Sequence, residues 1–199
     1  MNENIWSDKN LIKVLNKNGV VVMPTDTIYG ITGKALKRHT VERIYDVKKR
    51  APEKPCIILI GDINELGKFS VVLSEKQKKI LKKYWFTPSE IERPRATSII
   101  LDCKENLVND KFEYLHRGTN ALSFRLPASQ ALRDLLLKVG PLIAPSANTE
   151  ALPPSKNIEE AKGYFGDSVD LYIDGGELKN KASKLIKLNN DGSVIVLRE

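Results

Sequence analysis

Lys48, Lys49, Arg50 and Lys54 put four cations within seven residues, beside Pro52 and Pro55. The segment reads as a stiff cationic loop ending a helix. Such a loop suits a triphosphate, because arginine offers a planar fork to phosphate oxygens and lysine a compact point charge. The same cations would also be favourable simply as last-turn residues facing the negative helix end. A second group lies in Val20-Val21-Val22-Met23-Pro24-Thr25-Asp26-Thr27-Ile28-Tyr29-Gly30, where a buried strand stops at proline and meets hydroxyls, an aromatic ring and glycine. The hydroxyls of Thr25 and Thr27 can donate and accept, Tyr29 can cover a flat or apolar group, and Gly30 lets a backbone approach closely. An ordinary strand-to-turn connection, with Thr25 and Asp26 capping backbone groups, uses the same residue types. A third strand end, Gly140-Pro141-Leu142-Ile143-Ala144-Pro145-Ser146-Ala147-Asn148, delivers a hydroxyl and an amide two residues apart. In an extended chain that spacing turns both to one side.

Several chemistries are disfavoured. Ser146 as a covalent nucleophile needs a nearby base, and the two histidines, His39 and His116, stand outside all three segments. No His, Cys and carboxylate cluster has metal-ligand spacing, so no metal ligands are expected. Cys56 and Cys103 each sit in or beside an apolar run and read as small core residues. The formal net charge of +7, from 32 Lys and Arg against 25 Asp and Glu, suits an anionic partner. Much of the excess lies in Lys76, Lys78, Lys79, Lys82 and Lys83, on a helix expected after Ser74, which reads as solvated surface. No apolar run approaches the roughly 20 residues of a membrane span, and Met1 to Asn10 lacks the pattern of a signal peptide, so the expected location is cytoplasmic.

The elements that must position these groups follow from periodicity. Helices are expected over Lys9–Asn16, Val41–Lys49, Glu75–Tyr84, Ala128–Val139 and Ile158–Tyr164. Strands are expected over Gly19–Met23, Cys56–Ile60, Thr97–Leu101, Ala121–Leu126, Leu142–Ala144, Leu171–Ile173, Leu185–Leu188 and Val194–Leu197, with residues 86 to 97 and 104 to 119 as loops. Strands alternating with helices give an α/β fold: one domain over residues 1–199, built on a twisted, open, mixed sheet flanked by helices. The closely spaced strands near the C-terminal end suggest antiparallel pairing. Ligands collect at strand ends in such sheets.

Taken together, the segments resemble the YrdC family, in its short stand-alone form. Pro24 to Gly30 is similar to the family's Pro-Thr-Asp/Glu-Thr-Val-Tyr-Gly strand end, and Lys48-Lys49-Arg50 with Lys54-Pro55 to its Lys-x-Arg loop followed by Lys-Pro. Ser123-Phe124-Arg125-Leu126-Pro127 resembles its Val-Arg-Val/Ile-Pro strand, and Pro145 to Asn148 is its Pro-Ser-Ala-Asn motif unchanged. Asp174-Gly175-Gly176, Ser183 and Arg198 fall where Asp-Gly-Gly, the start of Ser-Thr-Val-Val and a terminal Leu-Arg are expected. The chain departs at Glu92-Arg93-Pro94-Arg95-Ala96-Thr97, where the family has Trp-Pro-Gly-Pro-x-Thr. It departs again at Glu150-Ala151, where the family has Ser-Gly, and at Lys184, where it has threonine.

The resemblance implies an L-threonylcarbamoyladenylate synthase, using L-threonine, bicarbonate and ATP to give threonylcarbamoyl-AMP and pyrophosphate. That is the first step toward N6-threonylcarbamoyladenosine at position 37 of tRNAs, with a threonylcarbamoyl transferase complex downstream and direct tRNA contact possible. It implies that Lys48, Arg50, Ser146 and Asn148 act on the triphosphate and transition state, with Arg198 joining the ATP site. Thr25, Thr27, Tyr29, Arg125 and Ser183 would hold threonine, Arg125 by pairing its carboxylate. Mg²⁺ would be held mainly by the phosphates. Two other readings use the same features. A non-catalytic RNA-binding protein would use the positive balance, yet it leaves Pro-Ser-Ala-Asn beside Lys-x-Arg unexplained and no aromatic-rich RNP strand appears. A carbamoyl-AMP-forming carbamoyltransferase module shares the motifs but normally travels with Cys-x-x-Cys pairs, which this chain lacks.

Overall fold

The computed structural model describes residues 3–86, 96–103 and 110–199. Among them, nine strands form one mixed sheet: β1 (Val21–Pro24), β2 (Tyr29–Lys34), β3 (Ile57–Leu59), β4 (Thr97–Asp102), β5 (Ala121–Arg125), β6 (Leu142–Ile143), β7 (Leu171–Tyr172), β8 (Lys184–Leu188) and β9 (Val194–Arg198). Their order across the sheet is β7-β1-β2-β6-β3-β5-β4-β8-β9. β7 runs parallel to β1, β5 to β3 and β8 to β4, and the other neighbours are antiparallel. The flanking helices are α1 (Lys9–Asn16), α2 (Arg38–Lys48), α3 (Glu75–Trp85), the single turn α4 (Glu113–His116), α5 (Gln130–Val139) and α6 (Ile158–Phe165).

Side-chain alternation along the strands divides the apolar residues between two faces. On one face Val20, Val22, Ile31, Ile58, Ile99, Phe124 and Ile186 join Ile44 of α2, Leu81 of α3 and Phe165 of α6 in one core. On the other, Val21, Met23, Leu59 and Leu142 pack under Leu11 and Leu15 of α1 and Leu132, Leu135 and Leu136 of α5. That second layer ends at β3. Beyond it the same face of β5, β4 and β8 presents Ser123, Arg125, Ile100, Leu185 and Lys187 to a cavity. The cavity therefore lies over the part of the sheet that α1 and α5 leave uncovered.

Local chemistry explains the helix starts. Asp8 accepts from the Leu11 amide at the start of α1, and Ser74 with Gln77 forms a reciprocal capping box at the start of α3. All five lysines of α3 are exposed, as a solvated face requires. Each expected strand lies within two residues of an observed one, and α2 begins three residues earlier than its pattern suggested. β7 departs from the pairing expected near the C-terminal end: only β8 and β9 form that antiparallel pair, while β7 joins β1 at the opposite edge. β2 and α4 have no counterpart in the sequence reading. The two glycines of Tyr29-Gly30-Ile31-Thr32-Gly33-Lys34 disguise a strand as a turn. A Cβ on Gly33 would lie 2.4 Å from Thr40 Cγ2 and 3.1 Å from Ile44 Cδ1, so glycine is what lets α2 lie close on β2. Cys56 is buried and Cys103 packs partly buried against the core, and both are free thiols.

Candidate active site

The turn between β1 and β2 is closed by Thr25. Its amide and hydroxyl both donate to the Ile28 carbonyl, at 3.1 and 2.7 Å, and its Oγ1 accepts from the Thr27 amide at 3.2 Å. The two threonine oxygens lie 3.1 Å apart, and both residues line the cavity. The side chains that close the turn thus also line the cavity. Arg125, the last residue of β5, donates Nη2 to Asp26 Oδ1 at 2.9 Å and to Thr25 Oγ1 at 3.3 Å. Both members of the Arg125–Asp26 pair are almost fully buried, and Arg125 Nε has no hydrogen-bond partner among the described residues. Asp26 holds this cavity-lining arginine, whereas the residue order suggests only a turn former, because nothing in it announces a partner 99 positions away.

Tyr29 is fully buried. Its hydroxyl donates to the Gly176 carbonyl at 2.8 Å and accepts from the Gly175 amide at 2.8 Å, fastening the Asp174-Gly175-Gly176 segment to the start of β2. Burial, then the nearby Asp174 carboxylate, raises its pKa against the lowering effect of the Gly175 amide. A Cβ on Gly175 would sit 2.6 Å from Pro24 Cγ, which accounts for a glycine there. At the far wall Arg198 donates Nε and Nη2 to the Ser183 carbonyl at 3.0 and 2.8 Å, and Ser183 Oγ lies 2.8 Å from Ser98 Oγ. The sequence reading assigned Ser183 and Arg198 to different substrates. Their direct contact puts them at one boundary.

The cationic loop is rigid for reasons beyond its prolines. Lys49 caps α2 in the left-handed region at φ 51°, and Arg50 donates to the Lys54 and Pro55 carbonyls at 3.0 and 3.1 Å. Tyr45 carries Arg117 at 4.0 Å and Arg50 at 5.9 Å from its ring centroid, an arrangement favourable to both cations. Arg50 lines the cavity. Lys48 does not: it is buried and donates Nζ to the carbonyls of Ser146 at 2.6 Å and Asn148 at 2.5 Å. Burial, reinforced by Arg50, pushes its pKa down to about 8. Ser146 lines the cavity beside Gly30, whereas Asn148 turns away and donates Nδ2 to the Thr149 and Leu152 carbonyls at 2.8 Å each. The chain is not extended there, since the Asn148 amide reaches the Ser146 carbonyl at 3.0 Å, so the expected same-side placement fails.

The cavity so formed measures about 560 Å³ and is lined at once by Thr25, Arg50, Arg125, Ser146, Ser183 and Arg198. That is an ordinary size for a small-ligand site. Ser123 and Lys187 also line it and were missed. They lie two residues from Arg125 and Leu185 respectively, so strand alternation could have found them.

The profile of the Sua5/YciO/YrdC family, described as telomere recombination, matches residues 13–199. The chain belongs to that family. A Bacillus subtilis protein named threonylcarbamoyl-AMP synthase is 29% identical over 164 residues, covering 82% of this chain and 44% of its own length. A Methanocaldococcus jannaschii relative is 30% identical over 196 residues, covering 96% of this chain and 86% of its own. The crystal structure of Pyrococcus abyssi Sua5 complexed with L-threonine superposes with a TM-score of 0.80 at 24% identity, covering 98% of this chain and 54% of that one. The chain thus spans about half the length of the Bacillus and Pyrococcus proteins. Against the pattern of the Sua5/YciO/YrdC family, the departure at Glu92 to Arg95 lies outside the described residues. Lys184 pairs with Glu199 at 2.9 Å, and Ala151 adopts a left-handed φ of 67°, the conformation a glycine would take without cost.

Proposed function

We propose that residues 1–199 act as one YrdC-like domain and form an L-threonylcarbamoyladenylate synthase, a nucleotidyltransferase that uses L-threonine, bicarbonate and ATP. One observation carries the reading: a single cavity is lined by hydroxyls and a buried guanidinium together with Arg50 and Ser146. A small amino acid and a phosphate chain can meet there, and the name of the Bacillus relative supports the same chemistry.

In this reading threonine's amine and bicarbonate give a carbamate with loss of water. A carbamate oxygen attacks the α-phosphorus, the bond from that phosphorus to the oxygen bridging to the β-phosphate breaks, and pyrophosphate leaves with the electron pair. No protein nucleophile is required; the residues position the reactants and offset charge. Thr25, Thr27, Tyr29, Arg125 and Ser183 hold threonine, and Asp26 fixes the Arg125 guanidinium for the substrate carboxylate. Arg50 and Ser146 take phosphate oxygens, and Arg198 the nucleotide at the boundary. Lys48 and Asn148 brace the Ser146 turn, and the buried ammonium adds positive potential beneath the phosphates. Magnesium, when bound, supplies further neutralisation. Among the described residues no three His, Cys, Asp or Glu side chains are grouped to hold a metal ion. Among the same residues no helix is long and apolar enough to cross a membrane. In this reading the enzyme works in the cytoplasm and hands its product to a threonylcarbamoyl transferase complex that modifies tRNA.

The test is pyrophosphate release from ATP and bicarbonate, with and without L-threonine, with the adenylate identified by mass. Release is expected to depend on threonine and to fall about 10²-fold or more in Arg50→Ala, the range for losing one transition-state donor, and to fall as well in Lys48→Ala, which removes the brace behind Ser146. Threonine-independent or absent turnover by folded wild-type protein sinks the reading.

A further inference from the structure

Glu150 stands where an anionic ligand of the cationic loop would stand. Its Oε1 accepts from Lys54 Nζ at 2.6 Å and its Oε2 lies 3.6 Å from Arg50 Nη1. The pose is imposed by the backbone, since the Glu150 amide donates to the Lys48 carbonyl at 2.9 Å while Lys48 Nζ holds the Asn148 carbonyl from the other side. The hydrogen bond from Lys54, with the nearby cations, holds the carboxyl below its ordinary range. The Glu150 and Arg50 side chains keep 25% and 18% of their exposure, so the pair is in reach of solvent and of a competing anion.

We propose that Glu150 is an internal competitor for the phosphate-binding loop: its carboxylate neutralises Arg50 and Lys54 in the empty protein, a polyphosphate displaces it on binding, and it returns as pyrophosphate leaves. The inference rests on the proposed function only in taking this loop as the phosphate site. A tethered carboxylate occupies the loop without loss of translational freedom, so every anion entering there gives up part of its affinity to the exchange. Partly solvated ion pairs are modest, which keeps the carboxylate displaceable. The effect of Glu150 is then to weaken retention of product as well as substrate.

The experiment measures binding of inorganic tripolyphosphate by calorimetry to wild type, Glu150→Gln and Glu150→Ser, with thermal melts to establish folding. Binding to both variants is expected to be about two- to fivefold tighter, the range for an ion pair open to water. Inhibition by pyrophosphate should tighten by a similar factor. Equal or weaker tripolyphosphate binding by the folded variants, or none by any protein, overturns the proposal and leaves Glu150 a brace for the loop. Tighter tripolyphosphate binding without threonine-dependent turnover keeps the competitor and removes the synthase reading, so the two failures are distinguishable.

Discussion

Two charged groups beside the cavity, the Asp26–Arg125 pair and the Arg50–Lys54–Glu150 cluster, hold their charges in opposite ways. Beside Thr25, Asp26 and Arg125 keep only 5% and 4% of their side-chain exposure and are joined at 2.9 Å. At the cationic loop, Arg50, Lys54 and Glu150 keep 18%, 54% and 25%, and the Arg50 contact is a loose 3.6 Å. A dry pair is fixed in place and costly to break, whereas a wet pair can exchange partners. The difference suits the proposed substrates: a small amino acid is selected by groups that do not move, and a polyanion is admitted by groups that trade one anion for another.

The largest expected effect tests that contrast directly. Arg125→Ala leaves Asp26 a buried charge without its partner and is expected to cost about 3–5 kcal/mol of stability, whereas Glu150→Gln, which loses only the solvent-reachable ion pairs, is expected to cost under about 1 kcal/mol. Urea unfolding of the two variants measures both. Similar losses would erase the distinction between the two groups.

A second test uses pH. Lys48, pushed down to about 8, loses its proton as pH rises through that value, and the positive potential at the loop goes with it. If the ammonium is required, kcat/KM for ATP falls above pH 8 by up to about tenfold per unit. Stability should respond with the opposite sign. In the unfolded chain the lysine titrates near its ordinary 10.5, so between 8 and 10.5 the unfolded state binds more protons, and this group's contribution to stability rises with pH. Below 8 both states are protonated and the penalty for burying the charge is constant. Activity that holds level to pH 10 would place Lys48 outside the chemistry.

The sequence carried these two groups unequally. Strand and helix positions were legible because the apolar periods of β3, β5, α1 and α5 are regular, and the site segments were legible because prolines and hydroxyls interrupt them. β2 was hidden by Gly30 and Gly33, whose reason for being glycine is the approach of α2, a tertiary fact. Thr25, Arg125 and Ser146 reach the cavity as their positions suggested, yet their partners were illegible. Asp26 meets Arg125, Lys48 turns to the carbonyls of Ser146 and Asn148, and Glu150 meets Arg50 across a hundred residues of chain. Residue types announce where chemistry is available. Which charge is already answered from within depends on long-range packing.

The smallest expected effect concerns the hinge of the exchangeable group. Ala151 holds φ at 67°, where its Cβ is crowded against the backbone, immediately after the residue that clamps Arg50 and Lys54. Ala151→Gly relieves that crowding but lets the unfolded chain roam more widely, and the balance is expected to stabilise the fold by about 0.5–1 kcal/mol. Urea unfolding reads the gain. A loss instead would mean that the Cβ of Ala151 supports the loop, and that the wet group is held by packing as well as by exchangeable charge.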